Sequence, residues 1–189
     1  MTQSIGRASN SKQQIRLVLA IFLMITAIEI INLLTGRMLN HLGNIPRYVP
    51  GLRGIVLGPF LHGSLQHYFS NIIPLCIFSY LLLQYGLKRY MQLTLWIVLI
   101  TGLLVWLFGR PATHIGASGV IYGYFGYLVL AGFLSGKFKL MIISILVAFF
   151  YGGLILGVLP FTPFVSWESH LFGFIAGLAG AKLWAKPSP

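Results

Sequence analysis

The chain contains no aspartate and only two glutamates, Glu29 and Glu168, among its 189 residues. That excludes a mechanism built on an Asp pair, and any carboxylate-rich cage for Ca²⁺ or Mg²⁺. It has one cysteine, Cys76, so neither an intrachain disulfide nor a cysteine-based zinc site is available. Cys76 lies in an apolar run and reads as packing. Charge of both signs is scarce: 8% of residues are charged, against about 25% in an average soluble domain. A water-soluble globule of this size would lack the polar surface to cover itself. Disorder is excluded from the opposite side, because 57% of the chain is hydrophobic.

What is present is long apolar sequence. Crossing about 30 Å of hydrocarbon takes about 20 residues. Six runs qualify, at 15–34, 68–86, 91–108, 117–134, 138–159 and 169–185. The expected fold is therefore all-α: a polytopic membrane protein forming one six-helix domain over residues 1–189. The first run has no small-residue cleavage site after it and reads as a retained signal-anchor. The first loop, 35–67, is the long one. It carries Pro46, Pro50 and Pro59, yet is rich in Ile, Leu, Val, Tyr and Phe. It is expected to lie in the interface or pack on the bundle. The remaining connections are short, which makes neighbouring spans antiparallel.

The 13 basic residues give a net charge of +11. They are scattered singly between apolar runs with no basic stripe, which argues for membrane topology and against nucleic acid. Nine of them (Arg7, Lys12, Arg16, Lys88, Arg89, Lys137, Lys139, Lys182 and Lys186) fall on one side of the spans. The other four (Arg37, Arg47, Arg53 and Arg110) fall on the other. The majority side is assigned to the cytoplasm, so both termini are inside and spans 2, 4 and 6 begin at the outer face.

Polar groups within spans are costly and point to function or to a partner. Three sets occur, all at the outer ends of even-numbered spans. His67 and Asn71 share one face of span 2, with His62 just before it. Gly116-Ala117-Ser118-Gly119 opens span 4, with Tyr122 on the face of Ser118. His170 opens span 6, on one stripe with Gly173 and Gly177. Each alone has a bland reading, as helix cap, packing motif or interfacial histidine. Together they place a serine, a base and helix N-terminal N–H donors at one depth, the elements of nucleophilic catalysis. The small stripe Gly119, Gly123 and Gly126 is positioned to bring span 4 against the Gly173/Gly177 face of span 6. Glu168 lies on a different helix face from His170, so a Ser/His dyad fits better than a triad. Glu29 is expected to be protonated, or paired with an arginine of the long loop, Arg37 or Arg53.

The series His62-x4-His67-x3-Asn71, Gly116-x-Ser118-Gly119 with Tyr122, and His170-x2-Gly173-x3-Gly177 resembles the rhomboid intramembrane serine proteases of the compact bacterial six-span type. The resemblance implies a serine endopeptidase that cleaves transmembrane segments of other membrane proteins near the outer face. It assigns Ser118 as nucleophile and His170 as base, then acid. It assigns His67, Asn71 and the Ser118 N–H to the oxyanion site, Tyr122 to packing on the His170 ring, and Gly116 and Gly119 to the turn and helix contact. His62 has a supporting role at most. It implies no metal and no cofactor, a lipid bilayer and transmembrane protein substrates as partners, and a bacterial inner (plasma) membrane location. Where that family often carries Trp-Arg in the first loop, this chain has Leu52-Arg53. The segment 161–165, with span 5, is expected to gate or cap the site. Two other readings compete: a non-catalytic client-binding protein of the same fold, and a small membrane transporter. The absence of a midplane carboxylate chain and of an inverted repeat weighs against the transporter.

Overall fold

The computed structural model describes residues 10–161 and 165–185. Helix α1 spans Ser11–Leu34, and the Asn10 side chain caps it by accepting from the Lys12 N–H. A one-turn helix α2 (Gly54–Leu57) lies in the first loop. The long helices that follow are α3 (Leu65–Leu83), α4 (Leu87–Phe108), α5 (Ser118–Ser135), α6 (Phe138–Tyr151) and α7 (Trp167–Trp184). No strand occurs among the described residues; one isolated bridge joins Asn44 to His114. The chain is a helical membrane-protein bundle.

Boundaries shift where glycine intervenes. Span 2 ends at Leu83, because Gly86 adopts φ +102°, a left-handed conformation open to glycine. The fifth run is α-helical only to Tyr151 and continues as a 3₁₀ helix, Gly152–Val158, from the Gly152-Gly153 pair onward. Among the described residues, α1, α4, α5 and the α6 run are each long and apolar enough to cross a membrane. Helices α3 and α7 fall short of that composition because they carry His67, Asn71, Glu168, His170 and Lys182. Those same residues include the ones the sequence singles out.

Helix α5 is the axis of the bundle. Its apolar stretch is 72% buried, against 17% for α1, 22% for α4 and 17% for the α6 run. It packs most extensively on α7, then on α6. The α5–α7 contact is backbone to backbone. A Cβ at Gly173 would collide with the Gly119 carbonyl, and one at Gly177 with the Gly123 carbonyl. The opposing glycines therefore let the two main chains touch. Ser144 on α6 ties to α5 by donating to the Leu128 carbonyl and accepting from the Gly132 N–H. The Trp96 indole of α4 donates to the Ala176 carbonyl of α7 at 3.0 Å. Leu19, Ile30, Leu103, Phe149 and Ile175 project outward, exposed, as a bilayer-facing surface requires.

The long loop packs on the bundle. Asn44 donates through Nδ2 to the Gly102 carbonyl, Trp106 donates to the Tyr48 carbonyl, and Arg47 donates to the Leu107 and Gly109 carbonyls. All these partners are at the end of α4. Arg53 donates to the His41 carbonyl within the loop. Glu29 pairs with Arg37 at 3.0 Å, one of the two loop arginines the sequence offers. The His62 carbonyl gathers three donors, from Asn32, Arg37 and Asn40. That bond cluster pins the loop to α1 immediately before α3.

The His62 ring is fully buried, and neither ring nitrogen has a hydrogen-bond partner. Burial, then the His67 and Arg37 charges, push its pKa down to about 3. The neutral ring therefore contributes stability that is complete above the unfolded value, about 6.5, and is lost as pH falls from there toward 3. His114, also lowered by burial, acts in the same direction. The thermal midpoint of the protein in detergent should fall between pH 6.5 and pH 4. His62→Phe, which forfeits no ring hydrogen bond, should make that fall shallower. An unchanged slope would remove His62 as its source.

Candidate active site

Helices α3, α5 and α7 begin at the same end of the bundle, and their first turns converge. Ser118 is the first residue of α5. The preceding Ala117 offers no side-chain cap, and the first intrahelical bond of the turn is Ile121 N–H to the Ala117 carbonyl. The amides of Ser118, Gly119 and Val120 thus form an open, positively polarised helix end. Ser118 is half-buried, and its Oγ forms no hydrogen bond among the described residues. The turn into this end is made by Gly116 at φ +109°, whose N–H donates to the Gly58 carbonyl at 2.9 Å. A Cβ on Gly116 would sit 2.5 Å from His67 Nε2, so the His67 ring lies directly against the turn before Ser118.

His170 is in the first turn of α7 and is buried. Its ring stacks face to face on Tyr122, with centroids 4.1 Å apart and planes 5° from parallel. Tyr122 is one turn along α5 from Ser118, so this stack joins the helix carrying the serine to the helix carrying the histidine. Behind the ring, His170 Nδ1 lies 2.9 Å from the Gly157 carbonyl. The bond makes Nδ1 the protonated nitrogen and leaves Nε2 with a free lone pair. Sequence reasoning did not reach the Gly157 carbonyl, since a backbone acceptor leaves no residue-type signature. One trace existed: Gly152, Gly153 and Gly157 break an otherwise apolar run. A Cβ at Gly157 would collide with the Tyr122 hydroxyl.

The structure does not bring every candidate into contact. Ser118 and His170 share no hydrogen bond among the described residues. The Asn71 amide donates to the His67 carbonyl at 2.7 Å within α3, while its Oδ1 is buried with no partner. His67 Nδ1 lies 3.4 Å from the Gly63 N–H, which leaves Nε2 facing Gly116.

Among the described residues, Glu168 makes no hydrogen bond with His170. It accepts from Arg110 through both the backbone N–H, at 3.3 Å, and the guanidinium Nε, at 3.4 Å. Arg110 also donates to the Val165 carbonyl. Beside it a short polar chain runs from His114 Nδ1 to Ser166 Oγ at 2.6 Å and on to Ser169 Oγ at 2.6 Å. These contacts fasten the start of α7 to the α4–α5 loop, and nothing in their sequence spacing announced them. Of the expected gating segment, Thr162, Pro163 and Phe164 lie outside the described residues, as do Arg7 and Lys186 of the charge pattern.

Comparison with known proteins adds an independent line. The model of the Rhomboid domain matches residues 50–186. Uncharacterized proteins of Mycobacterium bovis and Mycobacterium tuberculosis are 35% identical over 179 residues, covering 90% of this chain and 75% of theirs. One from Mycobacterium leprae is 34% identical over 179 residues, covering 90% of this chain and 71% of its own.

Proposed function

The chain belongs to the rhomboid family, and from that premise we propose that it is an intramembrane serine endopeptidase working through a Ser118/His170 dyad. One observation carries the reading: the uncapped helix end bearing Ser118 adjoins a histidine whose Nδ1 is committed to the Gly157 carbonyl. The Gly157 carbonyl serves here as the ring-orienting acceptor that a carboxylate supplies in triads.

Ser118 Oγ attacks the scissile carbonyl carbon as His170 Nε2 takes its proton. The negative charge that develops on the carbonyl oxygen meets the Ser118 N–H, His67 Nε2 and the Asn71 amide. For Asn71 this requires its amide to turn from the His67 carbonyl. His67 must present a proton at Nε2, the tautomer favoured when Nδ1 accepts from Gly63. Collapse of the intermediate expels the amine, which takes the proton from His170 Nε2. A water then repeats the sequence on the acyl ester. The Tyr122 stack holds the imidazole plane through both transfers.

The substrate is another protein's membrane-spanning segment, whose helix must be locally unwound before its amide is accessible. The domain acts as one unit in the bacterial plasma membrane, with both termini cytoplasmic and the dyad toward the outer face. The test is covalent labelling of the purified protein by a fluorophosphonate. Wild type should label and Ser118→Ala should not. Labelling that survives in Ser118→Ala would reject Ser118 as nucleophile, and a wild type inert to the probe and to model substrates would favour a client-binding relative. Asn71→Ala should lower kcat by roughly 10- to 10³-fold with little change in thermal midpoint. Parallel losses of folding and activity would make Asn71 a packing residue.

A further inference from the structure

At the far end of the bundle from Ser118, where α3, α5 and α7 finish, the helices leave a cleft of about 370 Å³. Its walls carry Arg89 of α4 and Lys137 and Lys139 at the start of α6, with Tyr85, Tyr127 and Trp184 between them. The chain has only two carboxylate side chains, and both are engaged at the opposite end, Glu29 with Arg37 and Glu168 with Arg110. The three cations of the cleft therefore meet no acidic side chain. Their contacts are neutral: Lys139 Nζ donates to Gln84 Oε1 at 3.0 Å, and the Arg89 guanidinium sits 5.8 Å over the Trp184 ring. The N-terminus of α6 opens here with no side-chain cap and adds partial positive charge.

A second observation is independent of charge. Tyr127 is fully buried in α5, lines the cleft, and its hydroxyl has no hydrogen-bond partner. The Tyr85 ring packs edge-on against it, with centroids 5.3 Å apart. A buried hydroxyl without a partner carries a desolvation cost, and this one belongs to a residue that lines the same cleft as Arg89.

We infer that this cleft binds a phosphate-bearing anion, supplied by the membrane as an anionic phospholipid headgroup. Phosphate oxygens would accept from Arg89, Lys137 and the Tyr127 hydroxyl, while the acyl chains continue along the apolar flanks of the bundle. The cleft lies at the level of the helix ends, where headgroups reside, and basic recesses between helices on that face suit such lipids. The inference does not depend on the protease reading.

The test is native mass spectrometry of the full chain in non-ionic detergent with dioleoylphosphatidylglycerol or dioleoylphosphatidylcholine, alongside thermal midpoints with inorganic phosphate. Wild type should retain the anionic lipid preferentially. The pair Arg89→Gln with Lys137→Gln should lower that retention by at least about fivefold. Tyr127→Phe, which keeps the buried ring and removes only the unpaired hydroxyl, should lower it without loss of folding. Lys182→Gln removes an exposed cation outside the cleft and should leave retention unchanged. Equal losses from Lys182→Gln and the cleft variants, or none from either cleft variant, would overturn the site. Stabilisation by inorganic phosphate without lipid preference would keep the phosphate chemistry and overturn the lipid as its source.

Discussion

Ser118→Ala should lower cleavage of a single-span substrate in liposomes by at least about 10³-fold, with the fold intact. The second half of that expectation follows from the site. Ser118 Oγ has no hydrogen-bond partner to lose among the described residues, and alanine is the better helix former. The thermal midpoint of the variant should equal or exceed that of wild type. His170→Ala should cost a comparable factor in rate, because an unassisted hydroxyl is a weak nucleophile. It also strands the Gly157 carbonyl and removes the Tyr122 stack, so a modest fall in midpoint is expected. Residual rates within tenfold of wild type in either variant would reject the dyad. A rate loss in Ser118→Ala accompanied by an equally large loss of folding would return the serine to packing.

The second large effect concerns the fold. Gly177→Val should destabilise the protein by about 3 kcal/mol. Its Cβ would meet the Gly123 carbonyl, and the next atom it approaches is the Tyr127 backbone nitrogen. Both are main-chain atoms of a buried helix and have no rotamer to yield. Gly153→Ala is the matched control: nothing lies within 4 Å of its added Cβ, so its midpoint should not move. Thermal unfolding of the two variants in the same detergent decides the matter. A Gly177→Val protein as stable as wild type would mean that α5 and α7 can part without cost.

Much of this was legible in the residues. Hydropathy gave six helices, and glycine spacing on spans 4 and 6 gave the face along which they meet. Periodicity could not give the ends, because Gly86 and the Gly152-Gly153 pair stop helices that apolar composition would extend. Expecting Ser118, His170, His67 and Asn71 at one end of the bundle needed only the antiparallel order of short-looped spans. Their detailed contacts were another matter. The Gly157 carbonyl, the three donors on the His62 carbonyl and the His114–Ser166–Ser169 chain are long-range polar bonds made by loops and backbone. Such bonds depend on where the chain returns in space, which no local pattern encodes. Glu29 stood between: its need for a cation was readable, and the choice of Arg37 over Arg53 was settled by the turn after α1.

The contact of α5 with α7 through glycine has a consequence for dimensional tolerance. Ser118 and His170 are mounted on two main chains that touch near them, with no intervening side chain whose rotamer could vary. The spacing of those two main chains is set by covalent geometry and van der Waals radii, quantities nearly indifferent to temperature, bilayer thickness or lipid composition. Helices held apart by leucine or phenylalanine would breathe with each of these. The glycine seam behaves as a rigid gauge block: the outer helices can move in the membrane while the spacing of the α5 and α7 main chains stays fixed.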